Sequence, residues 1–385
     1  MTFAFSTANV LFGPGSRLEM AIRAARLGRR CLLVTGSRPE RCAWLAESLS
    51  DVMDKVFTVC VEGEPEAMAV AAHARQARAN GCDVVVAVGG GSVLDAGKAL
   101  AALASNTRDV FDHLEVVGRG LPLDHPPLPL VAAPTTAGTG SEVTANAVLL
   151  SREHGVKVSL RSPGMIPRLA VVDPELTLTL PPRQTAATGM DALTQCMEAF
   201  VSHAASPLTD PLCRDGMSRA ARSLRRAFGD GADLEARSDM ALASLFSGMA
   251  LANARLGAVH GFAAPLGGML GAPHGEICAA LLPHVMEANI RSLRSLDPAH
   301  PALARYDETA RLLTGDPGAA AEDGARFVGT LCADLGIRHL DALGLEEGMV
   351  RAVAERAALA SSMKGNPVVL DRTELEAILR RAMGR

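Results

Sequence analysis

The stretch Asp83-Val84-Val85-Val86-Ala87-Val88 runs directly into Gly89-Gly90-Gly91-Ser92, with Asp95 and Lys98 following within two helical turns. A run of β-branched residues bounded by glycines reads as a strand buried on both faces, and such strands belong to parallel sheets. Glycines placed right after it let backbone N–H groups come close to a diphosphate, and a helix starting there adds positive potential at its N-terminus. Taken alone, the same glycines also fit a plain strand-to-helix turn.

The flanking sequence repeats the pattern. Arg30-Cys31-Leu32-Leu33-Val34-Thr35-Gly36 and Pro129-Leu130-Val131-Ala132-Ala133-Pro134 read as further strands, with helical spacing over residues 40–51 and 66–81. Strands alternating with helices predict a doubly wound α/β unit. A second loop, from Pro134 through Thr135, Thr136, Gly138, Thr139, Gly140 and Ser141 to Thr144, packs hydroxyls and glycines after the third strand. Two such loops after neighbouring strands face one sheet edge, where open α/β sheets take their ligands. Beyond Val171-Val172-Asp173-Pro174 the strand signals stop, and Ala-, Leu- and Met-rich helical sequence continues to the end. Breaks are expected at Pro207, Pro211, Gly229, Gly257, Pro283, Pro298 and Gly336. A chain of 385 residues exceeds the size at which one core keeps growing. The expected division is an α/β domain over residues 1–178 and an all-α domain over 179–385.

Composition removes several classes of function. One Trp and one Tyr in the whole chain, with a formal net charge of -4, leave little for stacking on bases or gripping a polyanion. Nucleic acid and membrane are therefore not expected partners. The N-terminus has no basic region leading into an apolar run, and eight cysteines are scattered without a C-x-x-C pair. A reduced, cytoplasmic protein is the simplest expectation.

The helical half carries a cation-binding pattern. In Gly189-Met190-Asp191-Ala192-Leu193-Thr194-Gln195, Asp191 and Gln195 lie one helical turn apart on one face. Downstream, a Gly/Pro-rich segment supplies His260 and His274. Carboxylate and imidazole together suit zinc or ferrous iron better than calcium or magnesium. Cys196 and Cys278 read as small packing residues.

Five passages, GGGSVLDAGK at 89–98, APTTAGTGSEVT at 133–144, VDPELTLTLPP at 172–182, GMDALTQCMEAF at 189–200 and HGFAAPLGGMLGAPHG at 260–275, together resemble the iron-containing alcohol dehydrogenase family. The resemblance spans nearly the whole chain and places it in the superfamily of glycerol dehydrogenases and dehydroquinate synthase. It implies an N-terminal Rossmann-like domain, an all-helical C-terminal domain, and metal-assisted hydride transfer between NAD(P)H and a small aldehyde or primary alcohol. By position it assigns Gly90, Gly91, Ser92, Asp95, Thr135, Thr139, Thr144 and Lys157 to the cofactor, and Asn146 to the substrate pocket. Phe262 reads as the one ring in an otherwise small-walled pocket. Asp191, His260 and His274 match three of the family's four metal ligands and are the catalytic core it implies, with Gln195 standing where the family's first histidine is expected. A further family histidine is replaced by Ala264.

Those two departures leave iron and zinc both open and admit other readings: a reductase of an acidic carbonyl compound, such as maleylacetate or a phosphonoaldehyde, or a catalytically impaired cofactor-binding paralogue. Relatives that prefer NAD often carry an Asp where Gly36 stands. Its absence, with Ser37 and Arg38 following, makes NADP acceptable and slightly favoured. The resemblance also implies a homodimer or higher homo-oligomer.

Overall fold

A computed structural model describes residues 3–384. Its elements run in chain order β1 (Asn9–Phe12), α1 (Met20–Ala25), β2 (Arg30–Gly36), α2 (Ala43–Val52), β3 (Lys55–Val61), α3 (Ala67–Ala79), β4 (Val84–Gly89), α4 (Gly91–Ser105), α5 (Val110–His113), β5 (Leu130–Pro134), β6 (Asn146–Ser151), β7 (Val156–Arg161) and β8 (Leu169–Val172). Helices only follow: α6 (Pro182–Val201), α7 (Thr209–Gly229), α8 (Leu234–Asn253), α9 (Ala258–Leu270), α10 (His274–Leu296), α11 (Pro301–Thr314), α12 (Ala321–Asp334), α13 (Val350–Leu359) and α14 (Arg372–Ala382). The fold is the expected class, an α/β N-terminal part and an all-α C-terminal part. Among the described residues two compact units emerge: one from Thr7–Thr136 and Gly140–Thr177, the other from Ala137–Thr139 and residues 178–384, with residues 3–6.

In the α/β unit six parallel strands lie in the order β1-β8-β5-β4-β2-β3. β4 is buried along its whole length because its Val-Val-Val-Ala-Val side chains alternate into two different cores. Val84, Val86 and Val88 join α1 and α2 on one face, while Val85 and Ala87 join α3 and α4 on the other. The chain leaves β2 for β3 and leaves β4 for β5, so the connections diverge between these two adjacent strands. Such a switch point opens a crevice at the carboxyl ends of the strands. Both glycine-containing turns lie at that edge: Thr35 is in register with Val88, Gly89 with Pro134, and the Thr135 N–H donates to the Gly89 carbonyl at 2.9 Å.

Sequence reading missed β3 and the antiparallel β6/β7 hairpin. β3 alternates exposed and half-buried residues at the sheet edge, and the hairpin forms a separate two-stranded sheet. Ala147, Leu149, Val158 and Leu160 of the hairpin pack into the core that contains α4. Its stability therefore comes from distant packing, which local pattern does not announce.

Two expected helix breaks are corrected. Pro211 is the third residue of α7, where a missing N–H costs nothing. Pro283 lies well inside α10. Its ring leaves the Ala279 carbonyl without the usual intrahelical donor, and the Cys332 thiol donates to that oxygen at 3.3 Å instead. Among the described residues, no single helix is long and apolar enough to cross a membrane.

Candidate functional site

Helix α6 presents Asp191, Gln195 and Glu198 on one face, at spacings of four and seven residues. All three are buried. The Glu198 carboxylate accepts from the Val259 N–H at 2.7 Å, in the first turn of α9, and satisfies a donor that a helix start leaves free. It also bonds His260 Nδ1 at 2.5 Å. An acceptor on Nδ1 orients the ring and, in the neutral imidazole that ligates metals, keeps the proton on Nδ1 and the Nε2 lone pair free.

That Nε2 lies 3.5 Å from Asp191 Oδ1, and the Nε2 of His274, the first residue of α10, lies 3.6 Å from the same oxygen. These are ion-pair approaches longer than hydrogen bonds, and Asp191 Oδ1 is left buried with no hydrogen-bond partner. Such an orphan costs roughly 1–3 kcal/mol or more when the group is charged. Two oxygen or nitrogen ligands about 2.1 Å from a tetrahedral zinc are separated by about 3.4 Å. The observed spacings match that figure, so the donor set fits a divalent cation. Cys278 completes the cluster: the ligand atoms of Asp191, His260, His274 and Cys278 all lie within 4.8 Å of one another.

Burial works against the Asp191 charge, yet the neighbouring His274 and His260 outweigh it and hold the carboxyl below its ordinary range. His260 loses to burial first, but Cys278, Asp191 and Glu198 raise it well above 6.5. His274 is pushed up to about 9, chiefly by the charge of Cys278, with burial opposing and Asp191 adding. The His274 side chain is 40% exposed, so this is the part of the cluster that water reaches.

Two expectations fail here. Gln195 does not offer its oxygen to the cluster. Its amide nitrogen donates to Asp191 Oδ2 at 3.2 Å, since an ionised carboxylate only accepts, and its Oε1 accepts from Ser247 Oγ at 2.9 Å. Gln195 thus stands as a hydrogen-bond partner of Asp191, with its amide oxygen turned to Ser247. Phe262 is fully buried in the helical core, so its ring is packing and not a pocket wall. The sequence did not single out Glu198 and gave Cys278 as packing; the structure places both beside the cluster. Each had a signal, Glu198 two turns beyond Asp191 and Cys278 one turn beyond His274 on the same helix face.

In the α/β unit, Gly90 precedes α4 with no side chain capping the helix. The first N–H groups, at Gly91 and Ser92, are left for a ligand or water. A side chain at Gly89 would come within 2.6 Å of Val93, so the turn is tight as well as bare. Asp95 is a brace: it accepts from Ser141 Oγ at 2.6 Å and the Val148 N–H at 2.9 Å, and pairs with Lys98 Nζ at 3.0 Å. Lys98, 1% exposed, donates to Thr144 Oγ1 at 2.9 Å. Asp95 and Thr144 therefore tie the hydroxyl-rich loop to α4. Thr135 and Thr139 are half-buried, as is Asn146 at the start of β6. Lys157 pairs with Glu64 at 2.8 Å.

Glu142, in the same loop, is 1% exposed with Oε1 unpartnered. Burial pushes its carboxyl up to about 7 against the pull of its own backbone bond and Lys98. A folded value above the ordinary 4.5 means that its contribution to stability is present below about pH 4.5 and lost as pH rises through about 7. A rise from 4.5 to about 7 corresponds to roughly 3 kcal/mol as an upper bound. Glu142→Gln is expected to raise the thermal midpoint above pH 7 and to leave it unchanged near pH 4.5. Equal shifts at both pH values would refute the assignment.

Residues 7–174 match the family described as iron-containing alcohol dehydrogenase, and residues 185–383 match the Fe-containing alcohol dehydrogenase family, C-terminal. A 1,3-propanediol dehydrogenase of Citrobacter freundii is 37% identical over 394 aligned positions, covering 99% of this chain and 98% of its own. A crystal structure of a 1,3-propanediol oxidoreductase matches with a TM-score of 0.90 at 34% identity, over 99% of this chain and 100% of that one. A sulfoacetaldehyde reductase from Bifidobacterium kashiwanohense, solved in complex with NAD+, gives 0.87 at 29% identity, over 100% and 99% of the two chains.

Proposed function

Since the chain belongs to the iron-containing alcohol dehydrogenase family, we propose that it interconverts a small aldehyde and its primary alcohol with NAD(P)H, at a centre held by Asp191, His260 and His274. The observation that carries this reading is the unpartnered Asp191 oxygen facing two imidazole nitrogens at metal-ligand spacing. When bound, the nicotinamide supplies the hydride and the divalent cation, iron or zinc, polarises the substrate oxygen.

The chain's own groups provide placement. The bare start of α4 at Gly90, Gly91 and Ser92 takes the diphosphate, and Asp95, Lys98 and Thr144 hold the neighbouring loop, with Thr135 and Thr139, in position beside it. Glu198 aims His260, and Gln195 aims Asp191. Ala264 has no proton to give, so the proton is drawn from water at the exposed side of His274. Asn146 and Lys157 are assigned to the substrate and to the nicotinamide ribose. For Lys157 this requires release of its Glu64 partner. β2 ends at Gly36, followed by exposed Ser37 and Arg38, with no carboxylate at Gly36 to repel a 2′-phosphate. NADP(H) is therefore accepted at least as well as NAD(H). Likeness to a 1,3-propanediol dehydrogenase favours 3-hydroxypropanal as the aldehyde, and likeness to a sulfoacetaldehyde reductase makes an acidic aldehyde the competing substrate. The same reading takes the chain as a homo-oligomer in the cytoplasm, and eight free cysteines agree with a reducing compartment.

The test is a panel of 3-hydroxypropanal, propanal and sulfoacetaldehyde, each with NADH or NADPH and with zinc or ferrous iron supplied. Oxidation of the cofactor is expected, fastest with 3-hydroxypropanal. No oxidation in any combination would mean a cofactor-binding protein without turnover.

A further inference from the structure

We infer that the Cys278 thiolate is the fourth protein ligand of the metal centre, filling the place that Gln195 does not take, and that it biases the centre toward zinc. This rests on the reading of Asp191, His260 and His274 as ligands. Cys278 lies one turn after His274 on α10 and is fully buried. Its Sγ is 3.6 Å from His274 Nε2 and 4.0 Å from His260 Nε2. For a zinc with sulfur at about 2.3 Å and nitrogen at about 2.05 Å, tetrahedral geometry puts those atoms about 3.5 Å apart. Cys278 borders the apolar helical core, but its sulfur lies beside two imidazole nitrogens and within 4.8 Å of the Asp191 oxygen that has no hydrogen-bond partner, which packing alone does not require.

Charge balance points the same way. On coordination the S–H bond breaks, the proton leaves to solvent, and a metal–sulfur bond forms without any change in oxidation state. One carboxylate and one thiolate then cancel the two charges of the cation, which a buried site needs. Thiolate is a soft donor that suits zinc, whereas ferrous iron gains less from it. Replacement of an imidazole by Gln195 and the presence of a sulfur at 278 act together: one removes a ligand and the other restores the count.

The test uses the full-length chain stripped of metal and reloaded with cobalt(II). A sulfur-to-cobalt charge-transfer absorption in the near ultraviolet is expected in the parent and absent in Cys278→Ala and Cys278→Ser. Chelator competition should show zinc binding weakened on the order of a hundredfold or more in Cys278→Ala, with a narrower zinc-to-iron preference in Cys278→Ser. Circular dichroism of the metal-free proteins checks the fold, and the isosteric serine variant serves if alanine fails to fold. A parent cobalt protein without the band, or a smaller loss of zinc affinity, overturns the assignment. His274→Ala separates the two readings. If it loses metal while Cys278→Ala keeps it, only the sulfur ligand fails; if both keep it, the three-ligand centre fails too.

Discussion

His274→Ala is expected to empty the metal centre and to lower turnover on the order of 10³-fold or more, beyond the 10–100-fold typical of losing a supporting residue. The reason is position. His274 opens α10 and supplies one of the two imidazole nitrogens that, among the described residues, lie within 4 Å of the unpartnered Asp191 oxygen. Because its side chain is 40% exposed, truncation leaves a gap that water fills rather than a dry cavity. The thermal midpoint of the metal-free protein should therefore stay close to that of the parent while metal content and turnover collapse. Full metal content in the purified variant would remove His274 from the centre.

Gly275→Ala should do comparable damage by a different route. A methyl group there would lie 2.2 Å from the Ala187 carbonyl oxygen and 2.7 Å from its carbon, both backbone atoms that cannot swing aside. The first turn of α10 would have to back away from α6. Ala187 is one helical turn before Asp191, and Gly275 is next to His274, so the shift falls on the pair that must stay at ligand distance. A destabilisation near the upper end of the overpacking range, about 3 kcal/mol, is expected together with loss of bound metal. Denaturant titration and metal analysis read both effects. An alanine variant with parental stability and metal content would show that the helices are not held this close.

The sequence announced whatever was written in local pattern. β2, β4 and β5 fall within a residue or so of the expected runs, because strands buried on both faces are continuous in Val, Leu and Ala. β3 and the β6/β7 hairpin escaped because their burial is partial and depends on partners far along the chain. Pro283 misled because the cost of a proline in a helix is judged locally, whereas the thiol that satisfies the freed carbonyl comes from α12. At the site, Asp191, His260 and His274 were legible as ligand types. The role of Gln195 depended on which amide atom faces Asp191: the carboxylate only accepts and so takes the amide nitrogen, and the oxygen finds the Ser247 hydroxyl on another helix. Cys278 reads as packing in the sequence, and only the fold shows its sulfur within 4.0 Å of both imidazole Nε2 atoms.

Glu198 performs two jobs with one carboxylate: it anchors the opening turn of α9 and it locks the swivel of the His260 ring. The imidazole is thus aimed before any ion arrives, its rotational freedom surrendered when the chain folds. It also makes position 198 a poor dial, since any change that loosens the ring frays the helix that carries it. Over evolutionary time, adjustment of how tightly such a centre grips an ion would have to pass through neighbours with a single duty, and Gln195, one of the two positions where this chain departs from the family pattern, is such a neighbour.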